Sequence, residues 1–487
     1  MSFISIKFFC FFIIFFCFYY TIHIEHRYIV LAVASYIFYG WNDLCFPLLL
    51  LVTTFITYLG GLTIYQKEKE SKKKFYFLFL FLNLLVLIVF KYYNFFISNI
   101  NFFIPKNKQI PEIPFLLPVG LSFYVFQSST YLHDIYKGKM APELNFLRYS
   151  AFVSFFPTLL SGPIQKSRKL LPQIRKPLPF DFDNARKGFI LIIWGIFEKI
   201  VVSSSLMKVI TYISNNILID HYQTAFNLLG AISFSLYIYA DFSSYSDIAR
   251  GIAKILGINI EKNFNNPYLS TSLTEFWNRW HCSLNEWFVD IVYIPMGGSR
   301  NGKLRKYINI FTVFFISGLW HGASWNFILW GVINGLIVIV EQIITPVKSY
   351  IYKKLQIDEK TESIVLLKRL FVFWIITITW IFFRVSDVGT AINIIKRITI
   401  FEPVRLFVPD ILSFNKTVAA TIILFIFAFV FCAIQYIRKN ETHVYQIYIK
   451  QPMIFQISFL ALLLMICIFV HTNNGSVNNM DFLYFNF

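Results

Sequence analysis

Apolar runs of membrane-spanning length recur along this chain, and they leave few folds open. A helix needs about 20 predominantly apolar residues to cross the hydrocarbon core, and in lipid every backbone polar group must find its partner inside the protein. The runs are Phe3–Tyr20, Tyr28–Trp41, Phe46–Tyr65, Phe75–Ile97, Phe189–Ile213, Phe226–Ala240, Ile308–Leu319, Trp325–Ile344, Leu370–Phe383, Val418–Ile437 and Ile454–His471. The chain is 14% charged and 57% hydrophobic, whereas soluble domains are about 25% charged and about 45–50% apolar. The sequence therefore predicts an all-α, polytopic membrane protein of about eleven transmembrane helices, built as a single membrane domain over residues 1–487. Phe3–Tyr20 lacks a basic segment before it and a small-residue cleavage site after it, so it reads as a retained helix rather than a signal peptide.

Two further apolar stretches, Pro114–Tyr131 and Leu147–Ile164, contain Pro118, Gly120, Pro157, Gly162 and Pro163. Broken helix at membrane depth survives only where it is buried in protein or lines a cavity. Re-entrant or interfacial helices are expected there.

The formal charge of +18 suggests nucleic acid at first sight, but its placement argues otherwise. Lys and Arg gather in short segments between apolar runs, at 67–74, 166–187, 300–306, 348–369 and 438–450, which reads as solvated cytoplasmic loops obeying the positive-inside rule. No nucleic-acid partner is expected; membrane lipid is. The tail Thr472–Phe487 has no Lys or Arg and should face outward. The segment after Arg384 should also lie outside, although it carries Lys396, Arg397 and Arg405. The six cysteines are scattered without a CxxC pair, so neither a disulfide framework nor a metal site is indicated. Cys282 reads as a small packing residue.

Within this apolar background an ionisable side chain is expensive and marks a functional site by default. His321 stands in Ser317-Gly318-Leu319-Trp320-His321-Gly322-Ala323-Ser324-Trp325. Lys306 marks the cytoplasmic side fifteen residues earlier, which at 1.5 Å per residue puts His321 about 22 Å into a core about 30 Å thick. The run is expected to break at Ser317-Gly318 and at Gly322, placing His321 at the apex of a helical hairpin. A buried packing histidine is the plainer alternative. His281 closes Glu275-Phe276-Trp277-Asn278-Arg279-Trp280-His281, and the segment ends in Tyr293-Ile294-Pro295-Met296-Gly297-Gly298. Read as one helix, Trp277, Trp280, His281, Leu284, Trp287 and Phe288 share a stripe, with Arg279 and Glu286 pointing away. An interfacial aromatic belt explains the tryptophans equally well. In Tyr237–Asp247, Asp241, Ser244 and Tyr245 fall on one face, and Ser243 with Asp247 on another. This is either a cavity-facing segment or a helix leaving the membrane.

Taken together, Ser122–Tyr136, Phe155–Ile164, Asp241–Asp247, Asn263–Ser270, Glu275–Ser283, Tyr293–Gly298, Ser317–Trp330 and Trp380–Arg384 resemble the membrane-bound O-acyltransferase (MBOAT) family, and most closely its bacterial branch. The motif-bearing core covers about 115–345. The resemblance implies transfer of an acyl group, with acetyl favoured, from a cytoplasmic thioester donor toward hydroxyls of an extracytoplasmic polysaccharide. Acetyl-CoA or an acyl carrier protein would be a co-substrate rather than a bound cofactor. It places the catalytic histidine at His321 and the second histidine at His281. Asn278, Arg279, Asp241 and Trp320 are the candidate substrate-binding residues. The implied setting is the bacterial inner membrane, with an extracytoplasmic acyltransferase as a further partner. A hydroxyl becomes a nucleophile only when a base takes its proton, and a neutral His321 is suited to that task. Developing charge on the thioester carbonyl would need donors, for which Asn278, Arg279 and His281 are candidates. No G-x-S-x-G elbow is present, which disfavours an α/β-hydrolase. D-alanyl transfer to teichoic acid and a transporter for polysaccharide or lipid-linked sugar stand as alternatives.

Overall fold

The computed structural model describes residues 1–41, 43–113, 117–216, 223–385, 387–399, 437–473 and 482. Among the described residues every regular element is helical. They group into two compact units: Met1–Ile196 with Tyr245–Lys262 and Phe482, and Phe197–Ser244 with the described part of Asn263–Met480. Among the described residues six helices are long and apolar enough to cross a bilayer, and Ile6–Thr21 is a shorter apolar one. The expected span Val418–Ile437 lies outside the described residues except for its last residue.

The first unit contains α1 (Ile6–Thr21), α2 (Arg27–Tyr39), α3 (Cys45–Gln66), α4 (Lys69–Asn101), α5 (Leu121–Tyr136), α6 (Phe146–Val153), α7 (Phe156–Leu159), α8 (Ser167–Arg175) and α9 (Phe182–Phe197) up to Ile196. Helix α5 is its centre: every residue from Leu121 to Ile135 is buried, whatever its polarity. Several of its polar groups are bonded to neighbours. Asn83 Nδ2 donates to the Val125 carbonyl at 2.9 Å, Gln127 Nε2 to the Phe152 carbonyl at 2.6 Å, and Arg168 Nη1 to Asp134 at 2.7 Å. Gly61 on α3 leaves room for the Tyr131 ring, where a Cβ would lie 2.3 Å from a ring carbon. Gly120, at φ +83°, caps the helix in the left-handed region open to glycine.

The stretch 147–164 forms the two short helices α6, buried over Tyr149–Val153, and α7, wholly buried, because Pro157 can start a helix and not continue one. One expectation changes here. The basic stretch beginning at Lys166 is not a solvated loop. It forms α8, which buries Leu170, Leu171 and Ile174 and is tied down by the Arg168–Asp134 and Arg175–Glu143 pairs.

The second unit takes in α10 (Ser204–Asn216), part of α11 (Gln223–Ile255), α12 (Leu273–Arg279), α13 (Cys282–Phe288), α14 (Gly302–His321), α15 (Trp325–Lys354), α16 (Glu362–Arg384), α17 (Val388–Thr399), α18 (Glu441–Ile449) and α19 (Met453–Asn473). Helix α14 runs unbroken through Ser317-Gly318 and stops only at Gly322. The missing side chain at Gly318 serves packing instead: a Cβ there would lie 2.4 Å from the Phe327 carbonyl oxygen, and one at Gly331 would lie 2.4 Å from the Phe314 carbonyl oxygen. Small residues facing each other let two membrane helices cross at backbone contact. Helix α17 buries Ala391, Ile394 and Ile398 and closes its last turn with Lys396 and Arg397.

Candidate active site

The α14–α15 hairpin delivers His321. It is the last residue of α14, with Gly322 as C-cap and Ser324 as N-cap of α15. Its imidazole is buried and boxed by aromatic rings: Trp320 at 4.7 Å, Trp330 at 5.0 Å and Phe383 at 4.9 Å between centroids. Asn326 Nδ2 donates to the Val385 carbonyl at 2.6 Å, which ties the start of α15 to the end of α16. Trp330 in turn stacks on Trp380 and meets Trp277 edge-on.

His281 arrives by a different route. The expected single helix is two seven-residue helices, α12 and α13, broken at Trp280–His281. His281 has φ +45°, a left-handed conformation that costs a non-glycine residue about 1 kcal/mol or more. The loop before α12 stabilises the break. The Asn265 N–H donates to the Arg279 carbonyl at 3.0 Å, and the Cys282 N–H to the Asn263 carbonyl at 2.9 Å. The Asn263 side-chain oxygen accepts from Ser283 Oγ at 2.7 Å and lies 3.2 Å from His281 Nδ1. Because that oxygen is an acceptor, Nδ1 is the protonated nitrogen and Nε2 is the basic one in the neutral ring. Burial pushes the His281 imidazole down to about 3, since a charged ring loses its hydration there.

Both histidines line one cavity of about 250 Å³. Asn278, Asn285, Lys306 and Gln342 supply its polar lining, while Ile310, Val313, Phe314 and Val338 supply its apolar wall. Lys306 and His321 both belong to α14, so the cavity follows that helix over about 22 Å. Asn285 Nδ2 donates to Asn278 Oδ1 at 3.2 Å. That engages the Asn278 oxygen and leaves its NH2 to serve as donor.

The other sequence candidates are placed differently. Trp320 lies outside the cavity lining and between the two imidazoles, its ring 6.0 Å from His281 and 4.7 Å from His321. Arg279 forms an i,i+4 ion pair with Glu275 at 2.6 Å and is not a lining residue. Asp241 is buried against Lys199 at 2.5 Å and Ser203 at 2.9 Å, also away from the lining. Ser243 donates to Glu198 at 3.2 Å, and Asp247 pairs with Arg250 at 2.9 Å.

Two site residues escaped the sequence reading. One is Asn263, which fixes the His281 tautomer. The other is Glu341 on α15, whose carboxylate accepts from the Leu273 N–H at 2.7 Å and from the Thr274 N–H and Oγ at 2.9 Å, holding the start of α12. The available signal for Glu341 was an acid within an apolar span.

The sequence profile of the membrane-bound O-acyltransferase family matches residues 141–386. The chain is 32% identical to the "Probable alginate O-acetylase AlgI" of Azotobacter vinelandii, over 77% of this chain and 72% of that one. It is 28% identical to the peptidoglycan O-acetyltransferase of Helicobacter pylori, over 94% of this chain and 91% of that one. To the teichoic acid D-alanyltransferase of Bacillus subtilis it is 29% identical, over 45% and 58%.

Proposed function

We propose, from the premise that this chain belongs to the membrane-bound O-acyltransferase family, that it moves acetyl from a cytoplasmic pantetheinyl thioester toward hydroxyls of an extracytoplasmic cell-envelope polysaccharide. The chain is a multi-pass membrane O-acyltransferase; donor, acceptor and direction are the proposal. The observation that carries it is the cavity containing both histidines and reaching from Lys306 to His321. A thioester on an extended arm suits such a channel, with its acidic end near Lys306 and its carbonyl near the histidines.

In this reading His321 takes the proton of the acceptor hydroxyl as the oxygen attacks the thioester carbonyl. The Asn278 amide, aimed by Asn285, donates to the developing oxyanion. When the tetrahedral adduct collapses, the C–S bond breaks, and the leaving thiolate recovers the proton from His321. Surrounding rings exclude water that would otherwise hydrolyse the donor. Acetyl is favoured over D-alanyl because likeness to the O-acetylating relatives extends over 77–94% of the chain, against 45% for the D-alanyltransferase. The proposed setting is the inner membrane, with an extracytoplasmic acyltransferase as partner for the last step.

The test is His321→Ala in cells, with membrane insertion checked. Base-labile acetate on surface polysaccharide should fall at least about 100-fold, as removal of a general base predicts. Ester at parental level would overturn the assignment. Ester-linked D-alanine in its place would select the alternative acyl group, and substrate flux without any new ester would select a transporter.

A further inference from the structure

The second unit also buries three charged side chains, and half-buries a fourth, that the reaction above does not use. Helix α9 continues into a π-helical turn, Glu198–Ser203, near the middle of the apolar stretch Phe182–Ser214. In this turn Glu198 and Lys199 are both buried, at 0% and 3% exposure. Lys199 Nζ pairs with Asp241 at 2.5 Å, and Ser203 Oγ donates to the same oxygen at 2.9 Å. Glu198 accepts from Arg438 Nη2 at 2.6 Å and Nε at 3.3 Å, and from Ser243 at 3.2 Å. Arg438, expected in a solvated loop, is thus turned inward, with its guanidinium 5.5 Å from the Tyr239 ring.

Buried ion pairs add little stability over apolar packing of the same volume, and their best-attested use is to specify one arrangement. What these pairs specify is a short length of α11. Phe242 follows Asp241 directly and meets the His281 ring edge-on at 4.8 Å and Phe264 at 5.1 Å. Tyr239, under Arg438, packs on Phe264 at 5.4 Å and on Trp280 at 6.1 Å. Trp280 and His281 are cavity residues. We propose that Lys199 and Asp241, with Glu198 and Arg438, are positioning residues that hold His281 in place through the aromatic face of α11. This rests on the reading of the cavity as the active site. No substrate contact is assigned to these four side chains.

The test uses full-length protein in lipid nanodiscs, labelled with 15N-histidine, with the His281 signal identified by its loss in His281→Gln. Asp241→Asn and Lys199→Met each remove one member of the Lys199–Asp241 ion pair. Each should shift or broaden the His281 nitrogen signals and lower kcat at least tenfold, with KM for the acetyl thioester changed less than threefold. The double variant K199M/D241N, which removes both members of the pair and leaves the net charge as in the parent, should recover much of both. Singles whose His281 signals and kcat match the parent would overturn the proposal. So would a double variant as impaired as the singles. Should the singles fail to insert, Ser203→Ala removes only one donor to Asp241, and unmoved His281 signals there would overturn it. Failure of the acyl-transfer reading is recognised separately, as an inactive parent protein, because the nitrogen signals report without turnover.

Discussion

Gly318→Ala sets two physical effects against each other. In an ordinary helix interior the change is favourable by roughly 0.5–1 kcal/mol, because alanine loses less backbone entropy. Here the new Cβ would lie 2.4 Å from the Phe327 carbonyl oxygen and 3.2 Å from the Gly331 Cα, while ordinary contact begins near 3.4 Å. Both neighbours are backbone, so α14 and α15 must separate by about 1 Å, and His321 lies three residues further along α14. A displacement of that size at a reacting group costs about 100-fold in rate. In purified protein transferring acetyl from a CoA thioester, kcat should fall about 100-fold, and the unfolding temperature should fall as well. Gly335→Ala is the graded control: its Cβ would lie 3.0 Å from the Phe314 Cβ, so the neighbour need give only a few tenths of an ångström. Its loss should stay under tenfold. A Gly318→Ala protein with kcat within threefold of the parent and a raised unfolding temperature would refute the crossing as the device that places His321.

Glu341→Ala removes three accepted hydrogen bonds from the start of α12 and should destabilise the protein by roughly 2 kcal/mol, with Glu341→Gln keeping part of it; denaturant midpoints of the two variants decide. Lys306→Gln should raise KM for a CoA thioester about tenfold and leave kcat within threefold, in line with a screened charge at the cavity mouth; an unchanged KM would remove Lys306 from the donor path. His281 binds its proton less readily folded than unfolded, so stability falls as pH drops below about 6.5 toward 3. At pH 5.5 that amounts to about 1.4 kcal/mol, and the acid slope of the unfolding temperature should flatten in His281→Gln.

Fold class was legible because periodicity and apolarity are local properties. His321 was legible for the same reason: the cost of an imidazole in an apolar run can be read from its neighbours in sequence. His281 was legible as a residue but not as a geometry. Nothing in Trp280-His281-Cys282 announces a left-handed backbone, because the bonds that stabilise it come from Asn263 and Asn265. The Lys199–Asp241 pair spans 42 positions, and Lys199 lies in a π-helical turn without a sequence signature. Arg438 looked like one more loop charge because positive-inside counting weighs charge by position along the chain and is blind to a side chain turned inward. Glu341 carried a signal, an acid within a span, that the aromatic surroundings of His321 overshadowed.

Helix α5 has a consequence for how such a chain is made. Its fifteen residues from Leu121 to Ile135 are all enclosed by protein, and they include Gln127, Ser128, Ser129, Thr130, His133 and Asp134. An insertion apparatus that sorts segments by their partitioning into lipid would refuse this one, since His and Asp at membrane depth cost several kcal/mol. Its partners for hydrogen bonding, on α4, α6 and α8, must therefore be waiting for it. The helix with the weakest claim on the bilayer becomes the last to settle, and substitutions at Asn83 or Arg168 should first appear as failures of biogenesis rather than of chemistry.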